Sequence, residues 1–234
     1  MQVRLENIIK NFDDKKVLKG VNFTFEKGKI YGLLGRNGAG KTTLFNCMNH
    51  DLECEGKMSV IEDGVERELV VDDIGYVLSS PQVPEFLTGR EFLTFFMDIN
   101  RSKLKDLQSV DAYFEMMHMD AEDRDRLLKD YSHGMKNKMM MLIHIIQNPN
   151  VLLLDEPLTS FDVVVANEMK QLLRQMAKDH ILIFSTHIME LALDLCDEIV
   201  LLKDGKLELL DANGHTRESF EEMIIQKLRD DEHE

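Results

Sequence analysis

The sequence predicts an α/β fold with a mainly parallel sheet, an attached antiparallel N-terminal part and a helical subdomain. Three observations support this. Short segments between residues 3 and 34 alternate apolar and polar residues, which indicates strands joined by turns. The apolar runs at 151–155 and 181–185 are typical of strands buried in a parallel sheet, and a segment with helical periodicity separates them. From about residue 85 to 147 the pattern is helical.

The other elements follow from periodicity and turn residues. Asp63-Gly64 and Asp204-Gly205 predict tight turns between strands. We expect, in chain order, a helix at 41–50, strands within 57–78, a helix with the apolar stripe Val165, Met169, Leu172, Leu173 and Met176, a helix at 187–196, a hairpin of strands 198–202 and 207–210, and a helix within 216–234. We interpret 1–234 as one domain, with a helical subdomain at about 85–147 and a C-terminal hairpin and helical tail at about 198–234.

Composition limits the classes of protein. The chain has 234 residues, 44% of them hydrophobic and 30% charged, which excludes disordered and collagen-like chains. Its net charge of −15 disfavours nucleic acid as a partner, and no local basic patch is visible in the sequence. The three cysteines indicate free thiols in a reducing compartment. No apolar run approaches the ~20 residues of a membrane span, so we expect a protein that is soluble when isolated.

Residues 35–42, GRNGAGKT, match the pattern of a phosphate-binding loop. The strand IYGLL precedes them and a predicted helix follows, which is the context that the pattern requires. Such a loop points backbone N–H groups at phosphate oxygens, and the helix N-terminus adds partial positive charge. Lys41 is expected to reach the β- and γ-phosphates, and the Thr42 hydroxyl to bind Mg²⁺. The residues expected to hold the nucleotide here are Gly35, Arg36, Asn37, Gly38, Ala39, Gly40, Lys41, Thr42 and Thr43.

A second candidate site element is the acidic end of the strand VLLLDEP at 151–157. Ligands bind at the carboxyl edge of an open α/β sheet, so the side chains there are candidates for chemistry. Asp155 suits the role of holding Mg²⁺, directly or through water. Glu156 is then the candidate base that activates a water molecule against the γ-phosphate.

In this order the motifs resemble the ATP-binding cassette family of P-loop NTPases, the nucleotide-binding subunits of ABC transporters, from about residue 3 to 210. The resemblance implies that Phe12 stacks on adenine with Val17 nearby. It implies that YSHGMKNKMM (131–140) is the signature helix, whose Ser132 and Gly134 contact the γ-phosphate bound by a partner subunit. LTSFD (158–162) resembles the loop that crosses the dimer interface, with Asp162 as its acidic residue. FSTH (184–187) provides the switch histidine, His187, which would act with Lys41 and Glu156 in catalysis.

Two positions depart from the family pattern. The signature, usually LSGGQ, has His133 and Met135 in place of a small and an amide residue. Ungapped alignment puts Ser79 at the position of the Mg²⁺-contacting glutamine, and Gln82 is an alternative if the loop shifts. A divergent signature resembles those of small peptide and antibiotic exporters that pair with ABC-2 type permeases.

The resemblance implies a mechanism and partners. Two ATP molecules, with Mg²⁺, would close a head-to-tail pair of subunits, a homodimer in the simplest case, and hydrolysis would reopen it. The motion would pass to a separate membrane permease, which places the chain at the cytoplasmic face of the cell membrane. Residues 85–130 of the helical region are the expected contact, with candidate residues Phe92, Phe95, Phe96, Met97, Phe114, Met116, Met117 and Met119. Antimicrobial or cytolytic peptides are the expected cargo. The alternatives are a soluble ABC-type ATPase acting on ribosomes or DNA, a weakly hydrolysing regulatory cassette, and a small-molecule kinase.

Overall fold

The computed structural model of the protein describes residues 1–104, 107–157, 163–212 and 214–229. In these residues the strands are β1 (Gln2–Phe12), β2 (Lys15–Glu26), β3 (Ile30–Leu34), β4 (Glu55–Glu62), β5 (Val65–Glu68), β6 (Ile74–Val77), β7 (Val151–Asp155), β8 (Ile181–Ser185), β9 (Glu198–Lys203) and β10 (Lys206–Leu210). The α-helices of the same residues are α1 (Lys41–Met48), α2 (Gly89–Ile99), α3 (Val110–Met116), α4 (Ala121–Arg124), α5 (His133–Gln147), α6 (Val163–Ala177), α7 (Met189–Leu195) and α8 (Arg217–Arg229).

The N-terminal part contains an antiparallel sheet, whose strands within the described ranges have the order β2-β1-β4-β5. Val3 and Leu5 of β1 are buried, because alternate residues of a strand face the same side of its sheet. The β4–β5 turn at Asp63 and Gly64 has φ angles of 50° and 80°, positive at both central residues as a type I′ turn requires. The predicted antiparallel part and this predicted turn are confirmed.

The second sheet carries the candidate site. Across the described residues its strand order is β10-β9-β3-β8-β7-β6, and every neighbouring pair is parallel except β9 with β10. All residues of β3, β7 and β8 are buried, because both faces of this sheet are covered. The predicted, mainly parallel sheet is therefore confirmed. The carboxyl ends of β3, β8 and β7 lie side by side at the edge where ligands bind in this architecture.

The parallel sheet separates two apolar layers. Successive side chains of a strand point to opposite faces, so Leu153 packs in one layer with Phe45 of α1 and residues of the antiparallel sheet. Leu152 and Leu154 pack in the other layer with residues of α5, α6, α7 and α8. Met169, on the predicted stripe of α6, is buried in that second layer. The sheet is thereby held rigidly beneath the site at its edge.

Helices α2 to α5 form the predicted helical region. Thr88 begins α2 as part of a capping box, because the Glu91 N–H donates to the Thr88 hydroxyl at 3.1 Å and the Thr88 N–H donates to the Glu91 carboxylate at 2.9 Å. Of the candidate contact residues named from the sequence, Phe114, Met117 and Met119 are buried in the core. Those three therefore stabilise the subdomain, whereas Phe95 is exposed.

Helix α8 returns to the parallel sheet. Phe220 and Ile224 are buried in the apolar layer that contains Leu152 and Leu154. The Lys203 ammonium donates to the Lys227 carbonyl at 2.7 Å. The predicted C-terminal helix is confirmed over Arg217–Arg229, and the rest of the prediction lies outside the described residues. None of the helices in the described ranges has both the length and the apolar character needed to cross a membrane.

Candidate functional site

The phosphate-binding loop lies between β3 and α1, as the sequence predicts. Gly40, which precedes α1, has a φ of 107°, and a Cβ there would lie 2.8 Å from Val17 Cγ1. At Gly35 a Cβ would lie 2.8 Å from the carbonyl oxygen of Leu202. Both positions therefore require glycine for steric reasons. The Leu44 N–H donates to the Gly40 carbonyl at 2.8 Å, so the loop runs directly into the helix N-terminus.

Lys41 is buried within the curve of this loop. Its ammonium donates to the carbonyl of Gly35 at 2.8 Å and to that of Arg36 at 3.3 Å. Burial lowers the pKa of the Lys41 ammonium below its ordinary value, while the Glu156 and Asp155 carboxylates act in the opposite direction. The loop thus holds a cation in a partly desolvated position, where its attraction for an anion is strongest.

Thr42, Asp155 and Ser185 form a chain of hydrogen bonds across three elements. The Thr42 hydroxyl donates to Asp155 Oδ2 at 2.9 Å, and the Ser185 hydroxyl donates to Asp155 Oδ1. Asp155 and Ser185 are paired in the register of β7 and β8, and Asp155 is only 5% exposed. No role for Ser185 was evident from the sequence. Its position at the end of the strand next to β7 was the signal, but it becomes informative only when the strand order is known.

Hydroxyl and carboxylate oxygens are the ligands that Mg²⁺ prefers. Thr42 and Asp155 present one of each within hydrogen-bonding distance, beside the phosphate-binding loop. The donor chemistry at this position therefore fits a magnesium ion held together with phosphate oxygens.

Glu156 and His187 form a second pair. Nδ1 of His187 lies 2.9 Å from Oε1 of Glu156, and the Glu156 N–H donates to the Ser185 carbonyl at 3.2 Å. Glu156 has a φ of 52°, which non-glycine residues seldom adopt, and it precedes Pro157, which further restricts its backbone. Backbone strain of this kind clusters at functional sites. Glu156 and His187 were both predicted from the sequence as catalytic candidates, but their contact with each other was not predicted.

Phe12 and Val17 lie at different distances from the loop. Val17 lines a cavity of about 340 Å³ together with Gly38 and Ala39. Phe12 is at the end of β1 and is not part of that lining; it is 43% exposed, and the Lys10 ammonium lies 5.1 Å from the centroid of its ring. Its ring is therefore accessible from solvent.

The same cavity corrects the prediction that no basic patch exists. Its lining brings together the basic residues Lys15, Lys16, Lys19, Arg36 and Lys203. The β1–β2 turn, the phosphate-binding loop and the β9–β10 turn meet here, and the Lys19 N–H donates to the Gly205 carbonyl at 2.8 Å. Three of these cations lie within residues 15–19, but Arg36 and Lys203 come from distant segments, so the complete patch could not be found in the sequence.

Ser132 is the N-cap of α5, since its hydroxyl accepts a hydrogen bond from the Met135 N–H at 3.2 Å. Side-chain hydrogen bonds join Thr42, Asp155 and Ser185, whereas the described hydrogen bond of the Ser132 hydroxyl stays within the start of α5.

Two further expectations concern loops. Ser79 and Gln82 are exposed after the end of β6, and the Gln82 amide donates to the Ser80 carbonyl at 3.5 Å. Asp162, named as the acidic residue of the interface loop, lies outside the described residues.

These features define a P-loop nucleoside triphosphatase. The glycine loop lies between a buried strand and a helix, a lysine and a threonine begin that helix, and an aspartate at a strand end is hydrogen-bonded to the threonine. Within that class, residues 18–159, more than half of the chain, match the family model described as ABC transporter. The chain belongs to the ABC transporter family, in which it is an ATP-binding subunit with the fold of an ABC ATPase.

Individual relatives agree with this assignment. The chain is 30% identical over 207 residues to an uncharacterised ABC transporter ATP-binding protein of Methanocaldococcus jannaschii, covering 88% of this chain and 75% of that protein. The solved structure of an ATP-binding subunit of an ABC transporter matches with a TM-score of 0.80 at 21% identity, covering 97% of this chain and 99% of the other. A dimeric ATP-binding cassette, solved in a post-hydrolysis state with ADP and phosphate, matches with a TM-score of 0.74 at 21% identity, covering 89% and 99%. These two structures share the fold of this chain.

Proposed function

We propose that this subunit uses ATP-dependent head-to-tail pairing with a second nucleotide-binding subunit to drive a separate membrane permease. The division of the site carries the proposal: Thr42 of the phosphate-binding loop is hydrogen-bonded to Asp155, next to Glu156, whereas the Ser132 hydroxyl accepts its hydrogen bond from the start of its own helix α5. A second chain can supply the missing helix start. The resemblance to a cassette that was solved as a dimer supports this arrangement.

The loop residues 35–43 bind the polyphosphate in this proposal. Backbone N–H groups of the loop and of the first turn of α1 donate to phosphate oxygens, and the Lys41 ammonium exchanges its carbonyl partners for the β- and γ-phosphates. Phe12 stacks on the adenine, and Val17 packs beside the loop. Positioning of this kind supplies most of the catalysis in phosphoryl transfer.

Thr42 and Asp155 would hold Mg²⁺, and Ser79 or Gln82 would approach from the loop after β6. The ion, when bound, offsets negative charge on the phosphates. Ser185 keeps the Asp155 carboxylate oriented toward Thr42. We expect hydrolysis to persist with Ser79 in place of the family's glutamine. A gain in turnover of about 10²-fold in Ser79→Gln would show that the natural loop impairs catalysis.

Glu156 acts as the base in the proposed reaction. Its carboxylate would orient the attacking water and accept a proton from it. The His187 imidazole, 2.9 Å from that carboxylate, would hold it in place and neutralise charge that develops on the γ-phosphate. The partner's Ser132 and Gly134 would cover the γ-phosphate from the other side, and Asp162 would belong to the crossing loop.

An exposed apolar surface supports the permease contact. Phe86 and Phe95 are 79% and 56% exposed and line one cavity with Pro84, Leu87 and Phe92. This surface follows directly on the loop that contains Ser79 and Gln82, so movement at the site can reach it. Exposed aromatic patches of this kind mark protein interaction sites. Within this proposal the transport direction is export, and the cargo is antimicrobial or cytolytic peptides.

The partnership is tested by detergent co-purification from native membranes. We expect one integral membrane protein to accompany the wild-type chain and to be lost with Phe86→Ala/Phe95→Ala. The matched control Val65→Ala/Leu209→Ala removes apolar side chains that are exposed on β5 and β10, and it should retain the partner. Recovery of ribosomal components or DNA in place of a membrane protein would favour the soluble ATPase alternative.

A further inference from the structure

Two free cysteines come together at the end of helix α1. Cys47 lies in the last turn of α1 and is 1% exposed, and Cys54, which directly precedes β4, is partly exposed. The chain turns back between them, because the N–H groups of Asp51 and Leu52 both donate to the Asn46 carbonyl, at 2.9 and 3.1 Å. Cys54 consequently packs against the apolar layer in which Cys47 is buried.

The two thiols act on each other. Burial, followed by the charge of Cys54 and a side-chain hydrogen bond with it, raises the pKa of the Cys47 thiol to about 12. Sulfur atoms that interact in this way can be joined by a disulfide after a small movement. Cys196 packs in the other apolar layer, on the opposite face of the parallel sheet, so it is separate from this pair. The geometry therefore provides one dithiol with one partner open to solvent.

We propose that Cys47 and Cys54 form a modification site, a dithiol that low-molecular-weight disulfides oxidise to an intrachain disulfide. The Cys54 sulfur, which a reagent from solvent reaches first, attacks one sulfur of the external disulfide and releases one small thiol. The Cys47 sulfur then attacks the mixed disulfide at Cys54 and releases the second small thiol. Each leaving thiolate takes up the proton that the attacking thiol gave to solvent. Two protein thiols are thus oxidised, and one external disulfide is reduced to two thiols.

Formation of the disulfide moves the helix that begins at the phosphate-binding loop. Helix α1 carries Lys41 in its first turn and Cys47 in its last. A disulfide has a sulfur–sulfur distance of about 2.0 Å, which is shorter than any contact between unbonded sulfurs. Oxidation therefore draws the last turn of α1 and residue 54 together, and a close-packed interior transmits the displacement along the helix.

A second path leads from Cys54 to the proposed adenine contact. The Lys10 ammonium donates to the carbonyl of Glu53 at 2.7 Å, and it also lies 5.1 Å from the centroid of the Phe12 ring. Movement of residues 53 and 54 therefore reaches Phe12 through Lys10. Oxidation weakens ATP binding as a result. This consequence rests on the proposed roles of Phe12 and residues 35–43, whereas formation of the disulfide does not.

The first test is peptide mass mapping of the native full chain after treatment with glutathione disulfide and alkylation of the remaining thiols. Trypsin cleaves after Lys41 and Lys57, so both cysteines fall within one peptide, residues 42–57. We expect this peptide to lose two hydrogen atoms without gaining glutathione, in the wild type and in the matched control Cys196→Ala. In Cys54→Ala the loss should be absent. A wild-type peptide that stays reduced, or that carries only glutathione, overturns the proposal.

The second test is the affinity for Mg·ATP, measured by titration calorimetry. Oxidised wild type should bind about tenfold more weakly than reduced wild type, the loss expected when one hydrogen bond to a charged group is displaced, and dithiothreitol should restore the affinity. Cys54→Ala should bind equally with and without glutathione disulfide. Equal affinity of reduced and oxidised wild type overturns the effect on the nucleotide site. A disulfide in a chain that fails to bind ATP even when reduced would retain the modification site, and the assignment of the nucleotide site would fail instead.

Discussion

Substitution of Ser185 by alanine tests what holds the Asp155 carboxylate, the proposed Mg²⁺ ligand, in its orientation. Ser185 is fully buried, and its hydroxyl donates to one oxygen of Asp155 while Thr42 donates to the other at 2.9 Å. Alanine keeps the strand and its register but removes one of these donors. Hydrogen bonds to charged groups contribute about 1.5–3 kcal/mol, so we expect Ser185→Ala to lower the free energy of unfolding by about 2 kcal/mol.

The functional effect that we predict for Ser185→Ala is weaker Mg²⁺ binding. An Asp155 held by one donor has more orientations available, and a loss of about 1.4 kcal/mol in Mg²⁺ binding corresponds to a tenfold higher Mg²⁺ midpoint for ATPase activity. The assay is ATP turnover against Mg²⁺ concentration, with urea unfolding of the same preparations. Ser59→Ala is the control, because it removes a fully buried serine hydroxyl from β4 in the other sheet. If Ser185→Ala keeps the wild-type Mg²⁺ midpoint, Ser185 does not orient Asp155, and the reasoning fails.

Three further predictions address the base, the loop and the buried histidine. Glu156→Gln should still bind ATP but lose about 10²–10⁴-fold in turnover, and near-normal turnover would show that Glu156 is not the base. Gly40→Ala should abolish ATP binding in a nucleotide-binding assay, because its φ of 107° and the 2.8 Å approach to Val17 disfavour a Cβ; unchanged affinity would contradict this. Burial lowers the pKa of His144, which is hydrogen-bonded to the carbonyl of Tyr76, so the unfolded chain binds this proton more readily. The free energy of unfolding should therefore fall as the pH drops below about 6.5, by up to 1.4 kcal/mol per pH unit. Urea unfolding between pH 7 and 5 should show a smaller decrease in this free energy for His144→Gln than for wild type, and an equal dependence on pH in both would refute the prediction.

Local sequence patterns determined most of the fold. Apolar runs and helical stripes predicted β7, β8 and α6, because burial imposes a period of two on strands and 3.6 on helices. The phosphate-binding loop could also be predicted from the sequence, because its glycines meet a local requirement. At Gly35 and Gly40 there is no room for the Cβ atom that any other residue would carry. The N-cap of α5 has a similarly local origin, because the Ser132 hydroxyl accepts a hydrogen bond from the Met135 N–H three residues later.

Contacts between distant segments could not be read in this way. The sequence named Glu156 and His187 separately, and their 2.9 Å contact exists because β7 and β8 are neighbours in the sheet. Ser185 gained a role only from its register partner, Asp155.

The sequence by itself determined that this chain builds a phosphate-binding loop on an α/β sheet, because that loop depends on consecutive residues and their backbone geometry. Only the tertiary structure decided which side chains surround the loop: the dispersed lysines that form the basic cavity, the serine that supports Asp155, and Leu228 at the end of α8. The physical reason is that strand order and helix packing are set by burial of apolar surface summed over the whole chain, and no local segment encodes that sum.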